Sequence, residues 1–404
     1  MVRISFLSFV ICINTLCVQA QTSACLTNEE VEILPGRYLT ADQYPWPAAR
    51  AEYFNQMTTV SDKAMARRTL GQIEKIEQQS HSGFNLIGGN WENYYSTEGY
   101  AFFSDTRLGK YSFQSALHEF FCAKGKLVRN EEASTILRIY VNSIPINTLE
   151  RFLRNPFGTS MGDYDFGLQY ADWKNHKPAD VNAPLISLFN YLSCNNQQIL
   201  NAVNSGNDYF QDIAEKDIRP NNRSNYIYRY WFVKKMDLSV LIPVSRKEYL
   251  QSLLEYYERE KLHFPKLIDK LTKDHDAGVK QYSSWEADVA DKISVVKKAL
   301  AEHNQEWLSA TAVVNLLDDA AQNYKANLAK RTNNNRFWKF YDNEAKGMPL
   351  YQYNPAYFKI GTTSPAKPQM ITIAFRYVSI PSSLRLLNNF TINFDFATLK
   401  KMVE

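Results

Sequence analysis

The sequence predicts an α+β fold: an antiparallel sheet with flanking helices, carrying a long inserted antiparallel helical hairpin. Three observations predict it. Strand-like alternation occurs both early and late in the chain. Between these parts, Val279 to Lys346 holds neither Gly nor Pro and carries an apolar stripe at steps of three and four, from Tyr282, Trp285, Val289, Ile293 and Val296 to Leu328. The late strand-like segments have an apolar face that needs a sheet to cover it, and the early strands are the available partners.

In chain order, residues 1–20 read as a signal peptide. Arg3 supplies the positive start, Ile4 to Val18 is mostly apolar, and Val18-Gln19-Ala20 fits a small-residue cleavage site before Gln21. The expected localisation is therefore export, periplasmic or extracellular after cleavage near Ala20. Neither Cys17 nor Cys25 has an aliphatic residue three positions before it, so lipid attachment is the weaker alternative. No later run reaches the roughly 18 apolar residues of a membrane span, so no transmembrane segment is expected in the mature chain.

Residues 21–243 are expected to hold N-terminal helices and the first part of the α+β domain. Pro47 suits a helix first turn. Ser61 is placed as the N-cap of a helix carrying Met65, Leu70, Ile73 and Ile76. Residues 83 to 110, with five glycines, read as loop. Tyr111 to Cys122 and Ser134 to Ile144 read as strands around a turn at Gly125, with Leu137, Ile139 and Val141 on one face. Asn147 and Glu150 have the spacing of a helix cap. Tyr226 to Val233 is bulky on both faces and should be covered on both, and Leu238 to Ile242 should return beside it.

The inserted helical hairpin is placed at residues 244–335. Ser245 and Glu248 form a capping box, Pro265 should kink or restart the first helix, and Ala277-Gly278 makes the reversal. Fifty helical residues would extend roughly 75 Å, so either the hairpin projects or its second helix breaks near Asn304 or Asn315. Residues 336–404 should supply C-terminal strands that complete the α+β domain, with Gln369 to Val378 and Phe390 to Phe396 both alternating.

Composition limits the functional classes. A net charge of +4 with no single-sign block gives no ground for nucleic acid as a partner. The histidines make no HExxH pair, and His118 with Cys122 would still need zinc ligands from elsewhere. Gly88-Gly89 lacks the rest of a phosphate-binding loop, and no GxSxG is present. No cofactor is expected. Asp163 and Asp165 form the best cation candidate, for calcium, although their spacing is not that of an EF-hand. Three cysteines follow the leader, Cys25, Cys122 and Cys194, enough for one disulfide at most.

Aromatic residues are the one excess, at 14% of the chain. Trp91, Tyr94, Tyr95, Trp173, Tyr351 and Tyr353 lie in stretches read as loops. They are the candidate binding residues, able to present ring faces to sugars or peptides. The expected function is a non-catalytic ligand- or partner-binding protein of the cell envelope or secretome, with the character of exported bacterial proteins. The alternatives are a hydrolase acting on an extracellular polymer such as a polysaccharide, and a structural assembly protein that forms oligomers through the helical hairpin.

Overall fold

The computed structural model describes residues 28–41, 59–100, 109–144, 150–151, 191–194, 196–214, 225–235, 237–314, 348–358 and 363–403. Helices and sheet are mixed, as an α+β fold requires. In chain order the elements are α1 (Asn28–Glu32), β1 (Tyr38–Leu39), α2 (Val60–Ser80), β2 (Gly89–Tyr100), β3 (Gly109–Ala123), β4 (Lys126–Arg129), β5 (Thr135–Val141), β6 (Glu150–Arg151) and β7 (Leu192–Ser193). There follow α3 (Gln197–Ser205), β8 (Asp208–Ala214), β9 (Asn225–Lys234), β10 (Leu241–Pro243), α4 (Arg246–Lys273), α5 (Trp285–Glu302), α6 (Gln305–Ser309) and β11 (Val313–Val314). The chain closes with β12 (Met348–Tyr353), α7 (Pro355–Phe358), β13 (Met370–Tyr377), α8 (Pro381–Asn393) and α9 (Phe396–Lys401).

The main sheet runs in the order β1-β2-β3-β5-β13-β9-β8, with β4 added to β3. All its pairings are antiparallel except that of β1 with β2. The chain approaches closely there: a Cβ on Gly36 would fall 1.8 Å from the carbonyl oxygen of Gly89, so only glycine fits. β13 stands between β5 and β9, so the middle of the sheet is set late in the chain.

Side chains alternate across a strand, and both faces of this sheet are used. On the inner face, Trp91, Phe113, Leu137, Ile139, Ile373 and Phe375 pack under α2, α8 and α9, which contribute Leu70, Ile73, Leu386, Phe390 and Leu399. On the outer face, Tyr230 and Phe232 pack with Ile199, Leu200 and Val203 of α3 and with Tyr357 and Phe358 of α7. β9 is therefore covered on both sides, as its bulky pattern requires.

Asn142 ends β5 with a positive φ of 55°. Its Nδ2 donates to the carbonyl of Lys367 at 2.9 Å and its Oδ1 accepts from the Gln369 amide at 2.7 Å. A short amide that tolerates the left-handed region thus ties β5 to the entry of β13.

A second, smaller sheet runs β10-β12-β7-β6, with β11 on β12. At its rim the Val244 amide donates to Leu350 O, the Ala312 amide to Val244 O and the Leu350 amide to Ala312 O, at 2.8, 2.8 and 2.9 Å. Between Val244 and Ala312 lie α4, a 3-10 turn at Ala277–Tyr282, α5 and α6. Phe264 and Trp285 meet with ring centroids 5.6 Å apart, and Lys292 lies over the Tyr257 ring. The capping box forms: the Ser245 amide donates to Glu248 Oε2 at 2.8 Å, and the Glu248 amide to Ser245 Oγ at 3.2 Å.

Several sequence expectations are corrected. Thr59, not Ser61, caps α2, accepting from the Asp62 amide at 3.1 Å. Much of the stretch read as loop is strand β2, because its inward residues include polar Asn93 among aromatics and so hide the alternation. Glu150 lies in a strand rather than a first helical turn. β10 joins the second sheet and does not return beside β9. α4 does not restart at Pro265 but continues through it; Pro265 and Lys261, whose carbonyl loses its partner, are both exposed, so water can serve that group. Of the two outcomes expected for the second hairpin helix, the break near Asn304 is the one found, since α5 ends at Glu302 and Asn304 caps a new short helix. The stripe beyond it is corrected, because Val313–Val314 is strand, not helix. Phe390 to Phe396 is not a strand: Phe390 to Asn393 is the last turn of α8, and Phe396 opens α9 after a break at Phe394 and Asp395. Pro381 starts α8, Phe390 and Phe394 are buried four residues apart, and Ile392 between them is 69% exposed, which is a helical and not a strand pattern.

Candidate functional site

Six aromatic residues were the candidates for an exposed binding surface, against the alternative of a packed aromatic core. Trp91 and Tyr95 are in fact core residues of β2, and Tyr353 is a buried residue of β12. Their polar tips explain the burial, since each finds a partner inside. Trp91 Nε1 donates to Glu77 Oε1 at 2.6 Å, Tyr95 OH donates to Glu74 Oε2, and Tyr353 OH accepts from the Ile144 amide at 3.3 Å. Tyr351 is half-buried against the second core. Tyr94 is half-buried on the outer face of the main sheet. Trp173, Asp163 and Asp165 lie outside the described residues.

Glu74 and Glu77 belong to a buried polar layer between α2 and β2. Glu74 Oε1 accepts from the Ala41 amide at 2.7 Å. Glu77 Oε1 also meets His81 Nε2, and Glu77 Oε2 accepts from Asn93 Nδ2 at 3.1 Å. Asn93 Oδ1 in turn accepts from Ser115 at 2.7 Å. Two carboxylates three residues apart on one helix resemble an acid–base pair only in composition. Glu77 is 1% exposed, and their oxygens are taken by tryptophan, tyrosine, asparagine, histidine and backbone donors that lock helix to sheet.

The open polar constellation lies on the other face. Register places Tyr94 opposite Gln114, Gln114 opposite Arg138, Arg138 opposite Ala374, and Ala374 opposite Tyr230. Arg138 is exposed, and its Nε donates to Oε1 of buried Gln114 at 2.6 Å. That bond holds the base of the guanidinium, and Tyr140 also hydrogen-bonds this side chain. Partial burial works against the Arg138 charge, but Tyr140, Tyr94 and Tyr228 around it outweigh that and move its pKa upward. All three tyrosines are half-buried. Tyr228 stacks on Tyr230 at 5.9 Å, and Tyr230 on Phe232 at 6.1 Å, so the open tyrosine is continuous with the packed aromatic row beneath α3.

The charges at the edges of this face partly cancel. Arg129 clasps buried Glu92 with two bonds, Nε to Oε1 at 2.8 Å and Nη2 to Oε2 at 2.7 Å, and reaches Glu131 at 2.8 Å. Arg376 donates to the Ala133 carbonyl at 2.5 Å and lies over the Tyr226 ring at 4.5 Å. Glu92 is thus neutralised by Arg129, while Arg138 and Arg376 leave the centre positive. The face can offer a cation, ring surfaces and phenolic hydroxyls to one ligand. From Tyr94 to Tyr228 it crosses four strand spacings, roughly 19 Å at about 4.8 Å each.

Of the sequence candidates only Tyr94 sits here. Arg138, Tyr140, Gln114 and Tyr228 were missed. A signal existed: once Leu137, Ile139 and Val141 point inward, Arg138 and Tyr140 must point outward. Elsewhere, His118 Nδ1 lies 2.9 Å from the Asn130 carbonyl, and no group of three or more potential metal ligands occurs among the described residues. Cys122 is a half-buried thiol and Cys194 a buried one. No helix among the described residues is long and apolar enough to cross a membrane. Comparison with family models, with curated proteins and with solved structures returned no match.

Proposed function

We propose that this is an exported, non-catalytic binding protein of the cell envelope or secretome that takes an anionic saccharide on the outer face of its main sheet. One observation carries the reading: an exposed arginine, anchored by Gln114, stands among three half-open tyrosines. A guanidinium pairs with a carboxylate or sulfate through parallel hydrogen bonds. Tyrosine rings cover the apolar face of a sugar while their hydroxyls meet its rim. The predicted leader at residues 1–20 and cleavage near Ala20 supply the export part of the proposal.

The hydrolase alternative draws less support, because Glu74 and Glu77 are committed to buried donors. The assembly alternative rests on α4 and α5, which we read as an arm inserted between residues 244 and 335 of a body completed by residues 336–404. The backbone bonds between Val244 and Ala312 support that insertion. The stripe residues Leu250, Leu253, Val289, Ile293 and Val296 are buried, which favours an arm closed on itself over one waiting for a second copy.

Affinity electrophoresis tests the function. The chain should be retarded in gels containing polygalacturonate or alginate and run freely in gels containing neutral dextran. Equal mobility in all gels would remove the proposal.

A further inference from the structure

A different part of the molecule carries a second contact surface. β3 and β4 form a hairpin that leaves the sheet: β3 last pairs with β2 at Glu119, the Phe120 amide still donates to the Gly88 carbonyl at 2.9 Å, and the pairs from Phe121–Val128 to Ala123–Lys126 belong to β3 and β4 alone. At about 3.3 Å per residue this tip projects roughly 10 Å. It turns at Lys124 and Gly125, both with positive φ.

The projecting part is apolar and exposed on both of its faces. Phe121, 41% exposed, pairs with Val128, 37% exposed; Leu127, 44% exposed, belongs to the opposite face. The end carries Lys124 and Lys126, both exposed, and residues 120 to 129 contain no acid. Glu131 at the base is held by Arg129, and the Arg129–Glu92 clasp fixes the hairpin to β2.

From this geometry we infer that the β3–β4 tip is a wedge that dips into an anionic lipid surface. A flat protein partner would cover one face of a ribbon. Large apolar side chains on both faces instead suit a medium that surrounds the ribbon. Two lysines at the end select negative headgroups, each worth about fivefold in affinity near such a surface. The projection matches the depth of about 5–10 Å at which amphipathic elements rest in the interface.

Vesicle flotation of the purified chain tests this. Wild type should float with vesicles of equal phosphatidylcholine and phosphatidylglycerol, and at least tenfold less with phosphatidylcholine alone. F121N/L127N/V128N and K124E/K126E should each lose at least tenfold on the anionic vesicles while keeping the wild-type circular dichroism spectrum and melting temperature. R138A should float like wild type, which separates this surface from the saccharide face. Wild-type failure to float, or equal flotation of wild type and both hairpin variants, would overturn the inference. A concentration-dependent dimer abolished by F121N/L127N/V128N would overturn it in favour of self-association.

Discussion

Trp91 donates through Nε1 to Glu77 Oε1 at 2.6 Å, inside the layer that joins α2 to β2. Both residues are 1% exposed. Removing the acceptor strands the indole N–H in the core and leaves the Asn93 amide only its longer bond to Glu74 at 3.5 Å, at about 1–3 kcal/mol for each group that loses a partner. Glu77→Ala should therefore lower unfolding free energy in urea by about 3–5 kcal/mol, and Trp91→Phe by less. A loss under about 0.5 kcal/mol for Glu77→Ala would mean the layer is not held in solution.

Helix α4 contains one stabilising and one destabilising local choice. The reciprocal Ser245–Glu248 cap predicts that Ser245→Ala costs about 1 kcal/mol. Pro265 sits in the helix interior at an exposed position, so Pro265→Ala should add about 1–3 kcal/mol. Chemical denaturation of the two variants checks both signs. A Pro265→Ala variant no more stable than wild type would show that the helix is interrupted there.

The start of α9 predicts a pH dependence. Hydrogen bonds from the Thr398 side chain and backbone hold the Asp395 carboxyl below its ordinary value. A depressed folded-state pKa means that this cap contributes above the ordinary carboxylate range and is lost as pH falls through the lowered value. Asp395→Asn should melt below wild type at neutral pH, and the gap should close in strong acid. A gap that persists or widens as acid is added would reverse the assignment.

Asn142 should resist replacement. Alanine at this left-handed position adds strain and leaves the Lys367 carbonyl and Gln369 amide without their partner. Asn142→Ala should cost about 2–4 kcal/mol in thermal or urea unfolding, and Asn142→Gly less than Asn142→Ala. Equal costs for the two would remove the backbone part of the argument.

The fold was legible where one physical signal dominated. Leu137, Ile139 and Val141 alternate cleanly, and the Ser245–Glu248 box states its helix start. It was illegible where two patterns compete. Phe390, Ile392, Phe394 and Phe396 alternate like a strand, but Phe390 and Phe394 also stand one helical turn apart. Pro381 upstream decides for helix. β2 was hidden because it buries Asn93 and the tips of Trp91 and Tyr95 against carboxylates of α2, and no local rule announces a buried polar partner fourteen or more residues upstream. The candidate face was hidden differently. Tyr94, Gln114, Arg138 and Tyr228 come from four strands, and only the register of the sheet brings them together.

Arg138 bears the functional account, and calorimetric titration with polygalacturonate oligomers tests it most directly. Wild type should bind, Arg138→Ala should bind at least tenfold more weakly, and Arg138→Lys should recover only part of the loss because an ammonium cannot make the paired contact. Arg138→Lys should melt close to wild type, and Arg138→Ala somewhat lower because buried Gln114 Oε1 loses its donor, with the folded protein intact at the titration temperature in each case. Equal affinity of wild type and Arg138→Ala, or no binding by wild type, would contradict the account.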